Sequence, residues 1–563
     1  MSISSKEEDK LAGRARSATA TGDSVAYHNS FGALRLHHPE TNQIILIPTP
    51  TDDPNDPLNW PKSYRVYIAF LVSSAIFFSN FLAAGPTVAI LDTTTDFFGS
   101  ADDDDLDENI AKIAYFFTTT ALLQGMSNLI WMPLMAKFGR RPIYIASFTL
   151  YTAFSAWAGA ATTYGSALAA RIMMGAASGA AECLATLTIA DLFFAHERGT
   201  IMAIYTTAMA AGVGCGIICA GLITKDLDWR YIYWVSVAII GFCTILIIFT
   251  CPETRYDRSR AVDSPHKNAQ DVEIINQSNK LEDIDSKNAH AGSVSPGHSL
   301  RGTQTKRTYW QSLAIFSGIH TQEPFTKLFL RPIVLLALPP VLWATLVMSV
   351  SIGFLVAITS NFAVAFDTTY GFQPWQAGLC FISCPVGAVF GAFFGGPFSD
   401  MIADRLTRRN GGVRHPEMRL PAMAISLITA PLSLVLYGVG IEQRWHWIVP
   451  TVGLGLLNFS IVQATNISLV YTIDGYRPVT GELAVTQHAF KSAFGFLLSF
   501  YTNPWIDQSG YAKAFAAMAG ISGIIISMWI PMYLWGREIR HTSWNWPVIK
   551  LMVHWDADRE VGE

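Results

Sequence analysis

Twelve stretches of mostly apolar residues succeed one another along this chain, at roughly 65–91, 112–135, 142–161, 166–191, 199–223, 230–250, 333–365, 375–398, 420–440, 446–472, 480–503 and 512–536. A helix needs about 20 such residues to cross the hydrocarbon core of a bilayer. In lipid only helices and closed barrels satisfy all their backbone polar groups. Stretches of this length therefore predict an all-α integral membrane protein. Composition agrees: 15% of residues are charged and 51% hydrophobic, against about 25% charged in soluble domains. A net charge of −4 argues against a nucleic-acid partner.

The stretches divide into two sets. Residues 1–62 read as a polar, mostly disordered tail without the apolar core of a signal peptide. Residues 63–250 read as one six-helix unit and 331–540 as a second. The segment 251–330 between them is rich in Ser, Asn, Asp and Lys and reads as a mostly disordered linker, and 541–563 as a terminal tail. With the N-terminus inside, the short inner loops hold ten Lys/Arg, including Lys137, Arg140, Arg141, Arg408 and Arg409, and the outer loops five. That asymmetry predicts both termini on the cytoplasmic side. The outer run ADDDDLDE at 101–108 reads as a hydrated loop. The seven cysteines lie in or beside apolar runs, with no further ligands for a metal nearby.

The loop after the second stretch of each unit contains an arginine pair: Arg140-Arg141 in LMAKFGRRP and Arg408-Arg409 in SDMIADRLTRRNGG. A repeat of six-helix units is an architecture of secondary transporters. Here the chain resembles a known family. GRRP at 139–142, RIMMGAASGAA at 171–181, ADLFFAHERGT at 190–200, DWRYIYW at 228–234 and PETR at 252–255 are similar to motifs of the major facilitator superfamily, within it the fungal twelve-helix drug:proton antiporters. The lead-in PTDDPNDPLNWPK and RRNGGVRHPEMRL resemble a subgroup with polyamine and histidinol permeases. The resemblance implies two pseudo-symmetric six-helix bundles. It also assigns gating or motif roles to Gly139, Arg140, Arg141, Gly212, Gly216, Gly221, Asp400, Arg408 and Arg409. Three positions depart from the pattern, among them Ala220 in place of a glycine of the fifth-helix motif. Ala136 stands where the first loop motif has an acid, and Ile217 replaces the proline of the fifth-helix antiporter motif, which weakens the case for export and strengthens that for uptake.

One acid interrupts the fourth stretch near mid-depth, Glu182. An ionisable group there costs from roughly 3 to over 10 kcal/mol and calls for a compensating use. Arg171, eleven residues earlier, falls three turns away on nearly the same helix face. Both are expected to face a protein-lined cavity. Glu182 has two functional readings, a proton carrier and a site for a cationic cargo assisted by aromatics such as Trp343, Phe354 or Tyr471. The plain alternative is a structural ion pair or interhelical hydrogen bond. His488 and Lys491, three apart in the eleventh stretch, share a face, and Lys491 is expected to pair with an acid across the cavity or to meet an anionic cargo. Asn80, Asn361, Gln463 and Asn466 complete the candidate cavity, because in the resembled family the first, fourth, seventh and tenth helices line it.

No G-x-x-x-x-G-K-[ST] loop is present, so an ATP-driven pump is disfavoured. The reading is a proton-coupled alternating-access transporter, not an enzyme and without a cofactor or metal, that moves a small organic solute. Efflux of drugs or metabolites is the first direction and uptake of polyamine-like cations the alternative. A non-transporting sensor or scaffold is the reading from another class. A monomer in the plasma membrane is expected, with the vacuolar membrane as the other location.

Overall fold

The structure is a computed structural model that describes residues 34–35, 50–51, 53–99, 103–256, 307–316 and 318–553. The disorder expected for 1–33, 36–49, 257–306 and 554–563 lies outside the described residues, as does the start of the acidic run at 101–102.

Twelve long helical spans account for most of the described residues. In the first half these are α1 (Lys62–Phe98), α2 (Asp103–Met126 continued by Asn128–Phe138), α3 (Arg140–Ala160), α4 (Tyr164–Leu192), α5 (Ala195–Asp226) and α6 (Arg230–Thr250). In the second half they are α7 (Pro339–Tyr370), α8 (Pro374–Arg409), α9 (Pro416–Glu442), α10 (Ile448–Gly475), α11 (Thr480–Ser509) and α12 (Tyr511–Trp544). Nine of them are long and apolar enough to cross a membrane by length and composition; α2, α3 and α11 are the more polar three among the described residues. Leu34–Arg35 pairs antiparallel with Val413–Arg414 in a short ribbon at one end.

Proline and glycine explain the interruptions. At Gly85-Pro86 the first span tightens into a 3-10 turn before resuming at Ile90, because proline lacks the N–H that continues the ladder. Gly139 ends α2 with φ +93°, a conformation open to glycine. The seventh apolar stretch, expected as one helix over 333–365, is divided. A separate helix occupies Phe325–Leu335, and Pro339 begins α7 afresh at its first turn, where a missing N–H costs nothing.

Packing fixes the two ends differently. Every residue at 177–192 of α4, 460–473 of α10 and 480–489 of α11 is buried. Helices buried all round lie inside a large bundle. These runs all sit toward the end that carries the arginine loops, where the halves close on each other. At the opposite end a small pocket is lined by Pro86, Thr87, Arg171, Tyr233, Thr359 and Ser360, among others.

Candidate functional site

Glycines bring three helices close enough to build a charged centre. A Cβ on Gly179 of α4 would meet the Gln124 carbonyl oxygen and Ser127 Oγ of α2 at 2.2 Å. One on Gly125 of α2 would meet Ser492 Oγ of α11 at 2.2 Å and the His488 carbonyl oxygen at 2.6 Å. Small residues allow this backbone approach, so α2 lies wedged between α4 of its own half and α11 of the other.

Glu182 sits in that junction, 1% exposed. The Lys491 ammonium of α11 donates to its Oε1 at 2.7 Å. Asn128 of α2 donates to Oε2 at 3.4 Å, and His488 Nδ1 lies 3.4 Å from the same oxygen. Tyr205 of α5 donates to the Glu182 backbone carbonyl at 3.0 Å and lies 3.4 Å from His488 Nε2. Cys183 Sγ donates to Asn128 Oδ1 at 3.0 Å. Carboxylate and ammonium belong to opposite halves, so the pair is also a tie across the seam. Breaking such a buried pair from one side is costly, because the remaining charge stays desolvated.

Arg171 is placed elsewhere. Its guanidinium donates to the carbonyls of Leu82 and Ala83, at 3.1 and 3.2 Å, and lies over the Tyr233 ring. These are carbonyls of the turn that precedes Gly85-Pro86, where the helix ladder is broken. The shared face read from the sequence does not bring Arg171 to Glu182, because eleven residues along a helix span about 16 Å and the outer half of α4 packs on α2 and α3.

The neutral candidates make interhelical hydrogen bonds. Asn80 accepts from Gln124 at 3.2 Å and donates to Ile76 O. Asn361 donates to Asn503 and accepts from Tyr511. Gln463 accepts from Ser426 and donates to the Ala422 carbonyl, and Asn466 donates to the Gly395 carbonyl. Gln463 and Asn466 thus tie α10 to its own half. Trp343 and Tyr471 pack edge to face with centroids 5.9 Å apart, in an apolar cluster with α9 and α12 residues.

The loops hold a second set of charges. Arg140 grips Asp191 at the end of α4, with Nε 2.7 Å from Oδ2 and Nη2 3.1 Å from Oδ1. Glu253 accepts the backbone N–H groups of Arg140 and Arg141 at 3.0 and 3.1 Å. A side chain at Gly139 would collide with that carboxylate, at 2.4 Å. Arg141 donates to the carbonyls of Ile248 and Cys251 at the end of α6. In the second half Asp400 accepts from Arg414 and pairs with Arg419 at 2.6 Å, and Arg419 reaches Asp474 at the end of α10. The counterpart of Arg140 is therefore Arg419, since each joins the start of a third helix to an aspartate ending the fourth. Arg408 and Arg409, matched to Arg140-Arg141 from their place in the chain, are instead exposed on the last turn of α8. The inserted turn 410–415 displaces the register.

Gly212 and Gly216 lie against the carbonyls of Phe77 and Phe81, at 2.4 and 2.2 Å from an added Cβ, and so lock α5 onto α1. Gly221 faces Trp375 and Gly378 of α8, at 3.3 Å and beyond, across the seam. Asp400 lies near Gly199 of α5, where a Cβ would meet its Oδ2 at 2.6 Å. A carboxylate near a helix N-terminus is favoured by the helix dipole. Asn128, Tyr205, Asp191, Arg419 and Asp474 were not singled out from the sequence. Asp191 and Asp474 carried a signal, an acid closing the fourth helix of each half.

The family model of the Major Facilitator Superfamily matches residues 66–481. The chain belongs to that superfamily. It is a multi-pass membrane transporter of this type and not an enzyme. Protein HOL1 of Saccharomyces cerevisiae is 25% identical over 551 residues, with 89% of this chain and 91% of that protein covered. The MFS antiporter QDR3 of Candida albicans is 24% identical, with 95% and 85% covered. Among solved structures, the proton:xylose symporter XylE is similar in fold, with a TM-score of 0.56 at 15% identity over 84% of this chain and 97% of that one.

Proposed function

We propose that this chain is a proton-coupled secondary transporter of a small organic solute, with Glu182 as the coupling carboxylate. The observation that carries the reading is the Glu182–Lys491 contact, a buried pair of opposite charges contributed by opposite halves at 2.7 Å. While ionised, Glu182 holds α11 to α4 and keeps the arginine-loop end shut. A proton on the carboxylate removes most of the attraction, and Lys491 is then free to move with its helix. A cationic cargo can take the place of the ammonium on the same carboxylate, so proton and cargo compete for one group. His488 and Tyr205 form a polar chain beside it, suited to proton passage. Arg140–Asp191 and Arg419–Asp400 hold the loop ends of their halves rigid while the halves rock.

Coupled transport is also supported by the similarity to the MFS antiporter QDR3 of Candida albicans. Export of drugs, toxins or metabolites is the first direction. Uptake of polyamine-like cations is the second, favoured by Ile217 in place of a proline in α5. The proposal puts both termini on the cytoplasmic side, as the loop charges favour, in a monomer of the plasma membrane or, as the other location, of the vacuolar membrane. The test uses purified protein in vesicles with an imposed pH gradient and a panel of labelled organic cations and amphipathic drugs. Glu182→Gln is expected to abolish gradient-driven movement while its gel-filtration profile stays that of the wild type. Undiminished response to the gradient in that variant sinks the proposal. The gradient polarity that drives accumulation separates export from uptake.

A further inference from the structure

The segment between the halves presents a second surface. Residues 309–316 and 318–319 run along the end of the first half, just before the helix Phe325–Leu335. Tyr309 donates through its hydroxyl to the Phe249 carbonyl, one residue from the end of α6. Phe316 lies against Phe138, the last residue of α2, with centroids 6.1 Å apart. The His320 N–H donates to the Lys137 carbonyl at 2.9 Å. The segment is thus pinned at the level where two spans end.

Five of its large apolar side chains nevertheless face outward, while Leu313 is buried. Tyr309 is 52% exposed, Trp310 74%, Ile315 61%, Phe316 59% and Ile319 66%. Five large apolar groups in eleven residues are costly to keep in water, and contiguous exposed patches of this kind mark an interaction surface. The belt they adjoin is continuous with them: Phe242, Ile245 and Phe249 on the outward face of α6 are 61%, 54% and 55% exposed. Tryptophan and tyrosine prefer the headgroup level of a bilayer, where a ring is dry and its polar edge wet. Arg307 and Lys306 precede the patch in sequence, and basic residues there suit anionic headgroups.

From this geometry we infer that residues 309–316 and 318–319 lie at the boundary between the headgroups and the acyl chains of the membrane, as an interfacial anchor at the arginine-loop end of the first half. The occupant of the patch is lipid, not a partner protein and not residues 257–306 of this chain. The anchor leads directly into Phe325–Leu335, whose Arg331 pairs with Glu482 in the first turn of α11 at 2.8 Å. It therefore holds the membrane plane in register with the helix that carries Lys491.

Spin labels on Trp310→Cys and Ile319→Cys test this in nanodiscs containing anionic lipid, with Cys215 and Cys219 changed to Ser. Collision with oxygen is expected to exceed collision with a water-soluble nickel complex by several-fold at both positions. Greater nickel accessibility means that the patch faces water and overturns the inference. Low accessibility to both reagents overturns it as well, since chain or partner then covers the patch. Tryptophan fluorescence gives an independent reading on the unlabelled protein. The contribution lost in Trp310→Phe should be quenched by brominated lipid and spared by iodide, and the reverse pattern rejects the anchor.

Discussion

Lys491 and Glu182 set the residue-scale energetics, because each leaves the other stranded when removed. Both are almost fully buried, and an unpaired buried charge costs about 3–5 kcal/mol. Lys491→Met is therefore expected to lower stability by about that amount at neutral pH, and Glu182→Gln by less, since Gln keeps the bond from Asn128. The double variant Glu182→Gln/Lys491→Met should recover much of the loss, a positive coupling read by thermal unfolding in one detergent. Simple additivity of the two singles would show that the pair holds nothing across the seam. Sequence reasoning reached Glu182, His488 and Lys491, because an ionisable residue within an apolar stretch is conspicuous. It did not reach Asn128 or Tyr205, whose polar groups are ordinary until α2 and α5 are placed around them.

At the scale of elements, close helix approach carries the site. Gly125 lies where a methyl group would stand 2.3 Å from Ser492 Cβ and 2.6 Å from the His488 carbonyl oxygen. Gly125→Ala is expected to cost about 1–3 kcal/mol through overpacking and to push α11 away from α4. Thermal unfolding checks it together with the coupling between Glu182 and Lys491, which should shrink in the alanine background. An unchanged coupling would mean that α11 is positioned by something other than this contact. The arginine loops show why ordinal matching along the chain was insufficient. Arg140 and Arg419 are equivalent because each reaches an aspartate at the end of the fourth helix of its half. That equivalence is defined by packing and not by distance along the sequence.

For the whole molecule, the closed end depends on the α4–α11 tie. Cys183 is fully buried beside Glu182, so a membrane-permeant maleimide should reach it slowly in the wild type. In Glu182→Gln the halves separate more often, and labelling of Cys183, followed by peptide mass spectrometry, is expected to rise by about 10-fold, the equivalent of roughly 1.4 kcal/mol in the opening equilibrium. Equal labelling in both proteins would detach the pair from the opening of the bundle. Direct mapping of Cys183 separates this signal from Cys215 and Cys219, which are only half-buried in α5.

Sequence alone determined that the chain crosses a membrane in helices, that the spans fall into two sets of six, and that one carboxylate, Glu182, interrupts the fourth apolar stretch. These follow from the cost of exposing backbone polar groups and charges to lipid, which acts on each segment separately and so leaves its mark locally. Tertiary structure decided what each charge meets. It sent Arg171 to the broken turn of α1 and Lys491 to Glu182, since hydrogen-bond partners are chosen by which backbones approach within 3 Å.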